Sequence, residues 1–213
     1  MIRLWCFDLD GTLVDSLGDL AASVNFMRKA WELEPLDREW VRRIIGDGRR
    51  TLLARALAGG KPFTEQDLDR LEVLYSEHYS AHSCDRTALF PGVRETLARL
   101  RQEGGKLVLT TNKTASDART ILSKLGVAEQ FDRIIGDGEG LALKPEPDML
   151  LAVMRQFAVP PAETVMVGDN HTDLGAARRA GVRAAFARYG YGVPHEEPVT
   201  WNIDSFSDLE KLT

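Results

Sequence analysis

Five short apolar runs, at residues 4–7, 107–110, 133–135, 164–167 and 184–187, constrain the fold of this chain more than any other feature. Most of them lack polar alternation, as strands covered on both faces do. From residue 107 onward, helical patterns separate them. Val93, Leu97 and Leu100 recur at helical spacing, as do Ile121, Leu122 and Leu125, and Leu150, Val153, Met154 and Phe157. Strand–helix alternation of this kind predicts an α/β fold: a Rossmann-like parallel sheet with helices on both faces.

About eighty residues separate the first run from the second, and they have a different character. Leu20, Val24, Met27 and Trp31 form one helical stripe, and Val41, Ile44 and Ile45 belong to a second helix. Leu52, Leu53, Ala56 and Leu57 mark a third, and Leu68, Leu71, Leu74 and Tyr75 a fourth. Gly59-Gly60 and Lys61-Pro62 break the chain between the last two. The expected organisation is a core of residues 1–15 and 84–213 with an all-helical domain, 16–83, inserted above the sheet. Pro91-Gly92 marks the return, with Pro91 placed to start the next helix.

With 213 residues, 44% of them hydrophobic and 28% charged, the chain has the composition of an ordinary globular protein. A net charge of -5 gives no sign of a nucleic-acid or membrane-surface partner. Cys6 and Cys84 have no metal-like spacing and read as reduced thiols, so a cytoplasmic location is expected. No apolar stretch is long enough to span a membrane. The run at 3–7 reads as a core strand, which leaves no room for a signal peptide.

Chemistry concentrates where the runs end. Asp8-Leu9-Asp10-Gly11-Thr12 follows the first run, at the carboxyl edge where parallel sheets bind ligands. One carboxylate can attack as a nucleophile, and the other can move a proton to or from a leaving oxygen. An isolated pair of this spacing more often closes a strand in an Asx turn. Thr111 and Asn112 follow the second run and can donate hydrogen bonds to an anion, although Thr114 with Asp117 can also supply a helix cap there. Lys144, ahead of Pro145, offers a fixed ammonium to an anion and to Asp8, where a loop lysine is ordinarily solvated. Asp169, after the fourth run, can share a hard cation with Asp8. Asp173 can orient Asp169 or a metal-bound water, or simply favour a helix N-terminus. His171 reads as a surface residue. Each element alone is weak. In this order at strand ends they form a complete set for phosphoryl transfer.

These motifs resemble those of the haloacid dehalogenase superfamily, over nearly the whole chain. The resemblance implies that Asp8 is the nucleophile and Asp10 the general acid/base. It implies a phosphate site of Thr111, Asn112 and Lys144, with Leu9 and Gly11 of the first motif beside it. It implies a magnesium ion held by the side chain of Asp8, the carbonyl of Asp10 and Asp169, with Asp173 as ligand or supporting acid. The insert is similar to the family's helical cap. Within the superfamily, Ile45-Gly46-Asp47-Gly48, Phe90-Pro91-Gly92-Val93 and Tyr189-Gly190-Tyr191-Gly192 are similar to segments of phosphoglycolate phosphatases. Asn170-His171 departs from what is common there. Arg49 and Arg50 follow the glycine loop, and at least one of them is expected to meet a substrate carboxylate. The expected partner is a small phosphorylated metabolite, with the chain a monomer or homodimer. The rivals are a broad-specificity phosphatase, a phosphomutase resembling β-phosphoglucomutase, and a non-catalytic phosphometabolite-binding regulator. A dehalogenase is disfavoured, because a halide leaving group needs no acid such as Asp10.

Overall fold

A computed structural model describes residues 1–212. The chain opens with β1 (Leu4–Phe7) and β2 (Val14–Asp15), followed by α1 (Leu17–Ala30), α2 (Arg38–Arg42), α3 (Arg49–Leu57) and α4 (Glu65–His82). It continues through β3 (Ala88–Leu89), α5 (Val93–Gln102), β4 (Lys106–Thr114), α6 (Ala115–Lys124), β5 (Arg133–Asp137) and α7 (Asp148–Phe157). The last elements are β6 (Thr164–Gly168), α8 (His171–Ala180), β7 (Arg183–Ala187), β8 (Trp201–Ile203) and a 3-10 turn at Phe206–Lys211. None of the described helices is long and apolar enough to cross a membrane.

The six-stranded sheet has the order β5-β4-β1-β6-β7-β8, and each neighbouring pair is parallel. Strand β1 lies inside it, with Leu4 opposite Lys106 on one side and Thr164 on the other. The period-2 geometry of the strand sorts its side chains onto two faces. Trp5 and Phe7 enter one apolar cluster with Leu107, Leu109, Val165 and Val167. Leu4 and Cys6 enter the other with Val108, Met166, Met149 and Leu174. Both faces are therefore covered, and polar alternation is absent for that reason. Cys6 and Cys84 are free thiols, and burial raises the pKa of Cys6 far above its ordinary value.

Four details differ from the sequence expectation. Strand β4 does not stop at Thr110. It runs on through polar residues to Thr114, because a register shift beyond Thr110 still lets Thr114 pair with Asp137. Helix α2 ends at Arg42, short of Ile44 and Ile45. Gly46 and Gly48, at φ 122° and 88°, turn the chain there in a region that favours glycine. Helix α5 begins at Val93 behind a left-handed Gly92, so Pro91 lies outside it. Strand β8 had no apolar run to announce it. Its three residues pair with β7 at the sheet edge.

The two short strands β2 and β3 pair antiparallel and carry the chain into and out of the helical segment. Buried Asp19, in the first turn of α1, accepts hydrogen bonds from the backbone N–H groups of Arg86 (3.0 Å) and Thr87 (2.9 Å) and from the Thr87 hydroxyl (2.7 Å). The outgoing and returning segments are thereby tied side by side.

Candidate active site

The carboxyl ends of β1 and β6 converge on one cluster of acids. Asp8 follows β1 directly, and its backbone N–H donates to the Val167 carbonyl at 2.9 Å. Asp169 follows β6, and Asp173 sits in the first turn of α8. One carboxylate oxygen from each of Asp8, Asp169 and Asp173 lies within 4.8 Å of the others. Lys144 bridges the cluster. Its Nζ donates to Asp8 at 2.8 Å and to Asp173 at 2.6 Å, and its side chain is 2% exposed.

Asp169 and Asp173 are also held by backbone or hydroxyl donors. The Thr12 hydroxyl donates to Asp169 at 2.8 Å, and the backbone N–H groups of Tyr191 and Gly192 donate to its other oxygen at 2.8 and 3.1 Å. Asp173 accepts from the Asn170 N–H at 3.0 Å in a capping box. Gly11 belongs here for space as much as for its φ of 86°, because a Cβ would collide with the Asp169 carboxylate. Its N–H donates to the Val14 carbonyl at 2.9 Å, so it is not available to a phosphate as expected. Leu9 is buried, and its carbonyl receives the N–H groups of Thr12, Leu13 and Val14.

Burial and crowding act on the acids together. Burial, then the charges of Asp173 and Asp8, push Asp169 up to about 7. Burial also raises Asp173, against the pull of Lys144. Burial works against the charge of Lys144, but Asp173 and Asp8 outweigh it and push the ammonium up to about 12. One ammonium among three carboxylates leaves the cluster two charges short of neutrality. A hard divalent cation with oxygen ligands fits both the deficit and the donor set.

Asp10 stands apart from this cluster. Its carboxylate accepts from the Lys113 ammonium at 2.6 Å and from the Ser16 hydroxyl at 2.5 Å. Asp8, Asp10, Thr111 and Lys113 line a narrow cleft of about 60 Å³. The helical segment closes it with Leu20, Ile45, Arg49, Leu52, Tyr75 and Tyr79.

Two expected anion contacts are corrected by this geometry. The Asn112 side chain is fully engaged. Its Nδ2 donates to the carbonyls of Lys144 (2.8 Å) and Gly46 (3.0 Å), and its Oδ1 accepts from the Lys144 N–H (2.8 Å). It fixes the lysine loop and leaves no side-chain amide proton for a phosphate. Arg50 faces away from the cleft and pairs with Glu65, Asp69 and Glu72 of α4 at 2.6, 2.7 and 3.1 Å. Arg49 does reach the cleft wall, where it donates to Ser76 at 2.6 Å, Asp117 at 2.7 Å and Thr114 at 3.2 Å. Thr114 also caps α6, as its position suggested. His171 is partly exposed, 3.7 Å from Asp47, and does not line the cleft.

A family model described as haloacid dehalogenase-like hydrolase matches residues 5–187, from β1 through β7. The chain belongs to the haloacid dehalogenase-like hydrolases. It is 40% identical to phosphoglycolate phosphatase 1 of Pseudomonas aeruginosa, over 97% of this chain and 78% of that protein. It is 34% identical to a phosphoglycolate phosphatase of Mannheimia succiniciproducens, over 99% of this chain and 97% of that one. The crystal structure of a predicted phosphoglycolate phosphatase from Haemophilus somnus superposes with a TM-score of 0.94 at 32% identity, covering 99% of this chain and 97% of the other. As in other members of this family, the sheet is parallel with helices on both sides.

Sequence reasoning passed over several residues of this hydrolase's site. Lys113 directly follows Thr111 and Asn112 in the sequence but received no role. Thr12 and Tyr191 were visible as motif residues, yet nothing in their spacing pointed to Asp169. Tyr75 and Asp117 read only as a helix-stripe residue and a cap partner, and Tyr79 drew no reading, because the helices that bring them to the cleft are distant in sequence.

Proposed function

We propose that the chain is a magnesium-dependent phosphatase that hydrolyses 2-phosphoglycolate to glycolate and phosphate through a phosphoaspartate on Asp8. The observation that carries this reading is the Asp8 carboxylate, fixed by Lys144 at the end of β1, facing a cleft that also holds Asp10. The names of the relatives supply the substrate.

The residues act as follows. Lys144 holds the Asp8 oxygen and adds positive charge beside the phosphoryl group. Thr111 offers a hydroxyl donor from the end of β4. The Asp8 carboxylate attacks phosphorus as the ester P–O bond breaks. Asp10 gives a proton to the departing glycolate oxygen, then takes one from the water that attacks the phosphoaspartate. A magnesium ion held by Asp8, Asp169 and the Asp10 carbonyl, with Asp173 beside it, would neutralise phosphoryl oxygens during both steps. The helices α1–α4 act as a cap that excludes bulk water from the cleft.

Phosphate release from a panel of monoesters tests this reading. 2-Phosphoglycolate is expected to exceed other small esters in kcat/KM by about tenfold or more. A flat profile would make the chain a generalist, and no release from any ester would point to a mutase or a binding protein.

The cation requirement has a second readout, in stability. Asp169 and Asp173 have raised folded-state pKa values, so the folded protein holds protons that the unfolded chain has already lost. Without a cation, the contribution of these two groups to stability is therefore greatest below the unfolded carboxylate range and declines as pH rises from about 4 toward about 7. Magnesium competes with those protons. At about 100 times its Kd it should raise Tm by about 5–10 °C near pH 8, and by clearly less near pH 5. Thermal denaturation at both pH values checks this, and an equal shift at both would count against the carboxylate site.

A further inference from the structure

We propose that Lys113 is the specificity-determining cation of this site, and that it recognises a carboxylate on the leaving group of the substrate. The inference rests on the phosphoglycolate reading above and assigns the group responsible for it.

The cations around the cleft differ in how far they are committed. Lys144 is enclosed by Asp8 and Asp173 and serves the phosphoryl side. Arg50 lies outside, among the acids of α4. Arg49 lies on the wall, but Asp117 neutralises it. That carboxylate is largely buried, and Arg49 is the only cation paired with it among the described residues. Turning Arg49 toward a substrate would strip Asp117 of its counter-ion, which is costly for a buried acid.

Lys113 is paired with an acid of similar burial, Asp10, but that acid carries a proton when it acts on the leaving oxygen and then needs no counter-ion. The Lys113 side chain is 8% exposed, and its Nζ sits 2.6 Å from Asp10 and 4.6 Å from the centre of the Tyr79 ring. Asp10 is the group that serves the leaving-group oxygen. In 2-phosphoglycolate the carboxylate carbon is two bonds from that oxygen, so it arrives beside Asp10, where the Lys113 ammonium already stands. The substrate carboxylate then takes over the ammonium, and Asp10 keeps its Ser16 bond while turning to the ester oxygen. An uncharged leaving group offers Lys113 nothing in exchange, and the ion pair with Asp10 persists. The Tyr79 face supports the ammonium in either position. Tyr75, Tyr79 and Leu52 close the cleft around a short leaving group.

The test compares two non-hydrolysable analogues by calorimetry in the magnesium-loaded protein: 3-phosphonopropionate, which carries the carboxylate, and propylphosphonate, which does not. The wild type should prefer the first by about tenfold to a hundredfold, the range of a charge-assisted contact. Lys113→Met should bind both about equally, whereas Arg49→Met should weaken both and keep the preference. Lys113→Gln serves if the methionine variant does not fold. Retention of the wild-type preference by either Lys113 variant overturns the inference and leaves the phosphoglycolate reading standing. A wild type with no preference, and no faster on 2-phosphoglycolate than on ethyl phosphate, overturns both.

Discussion

Asp8→Asn should lower kcat for phosphate release by about 10⁵-fold or more, the scale of loss when a covalent nucleophile is removed. Intact mass after incubation with substrate should show no phosphorylated protein. The fold should survive. The asparagine carbonyl can still accept from Lys144, which now bonds Asp8 at 2.8 Å. Stability without metal should in fact rise, because the Asp8 charge is one of the causes that push Asp169 and Asp173 up. A gain of about 1 kcal/mol would appear as about 2–4 °C in Tm. A variant both inert and more stable is the expected mark of a strained catalytic cluster. Turnover within about a hundredfold of wild type would mean that another group attacks phosphorus.

Lys144→Met should harm the fold as well as the chemistry. The ammonium is 2% exposed and lies between two acids, one of which, Asp173, is fully buried. Removing one partner of a buried ion pair costs about 3–5 kcal/mol, which corresponds to a fall of about 6–20 °C in Tm. Loss of one pre-positioned charge should also reduce kcat by about 10²–10³-fold. The cluster becomes more negative, so magnesium should stabilise this variant more than it stabilises wild type. A Tm gap that narrows as magnesium is added supports the charge-deficit account, whereas a constant gap would mean that Lys144 supports the fold by packing alone.

The parallel sheet was legible because its central strands are buried on both faces, and a strand such as Leu4–Phe7 has no option but to be apolar throughout. Edge elements escaped for the opposite reason. Strand β8 carries an exposed Asn202 and is only three residues long, so no periodicity can develop. The polar end of β4 looked like a loop, because its strand character comes from pairing with β5 rather than from its own residues. In the site, carboxylates after apolar strands were readable because sheet geometry sends strand ends to one edge. The direction of helical side chains was not. Arg49 and Arg50 are neighbours in sequence, yet one meets the cleft wall and the other the acids of α4, since successive helical residues point about 100° apart. The part played by Asn112 was also hidden, because its partners, the backbones of Lys144 and Gly46, come from distant loops.

The placement of β1 has a consequence for how the molecule is made. Of the described strands, the first to leave the ribosome is an interior strand of the sheet, and its two neighbours begin at Lys106 and Thr164. At about 5–20 residues per second, β1 waits about 8–30 s for β6 to be synthesised. During that interval α1–α4 emerge and can form local contacts, whereas Leu4–Phe7 has no partner strand until β4 is made and keeps its other edge open until β6 follows. Asp8 meets Asp169 only once β6 has slotted in beside β1, so the acidic cluster is among the last features to assemble. A nascent chain that stalls before β6 would display an apolar strand with one edge unpaired, the kind of segment on which chaperones act.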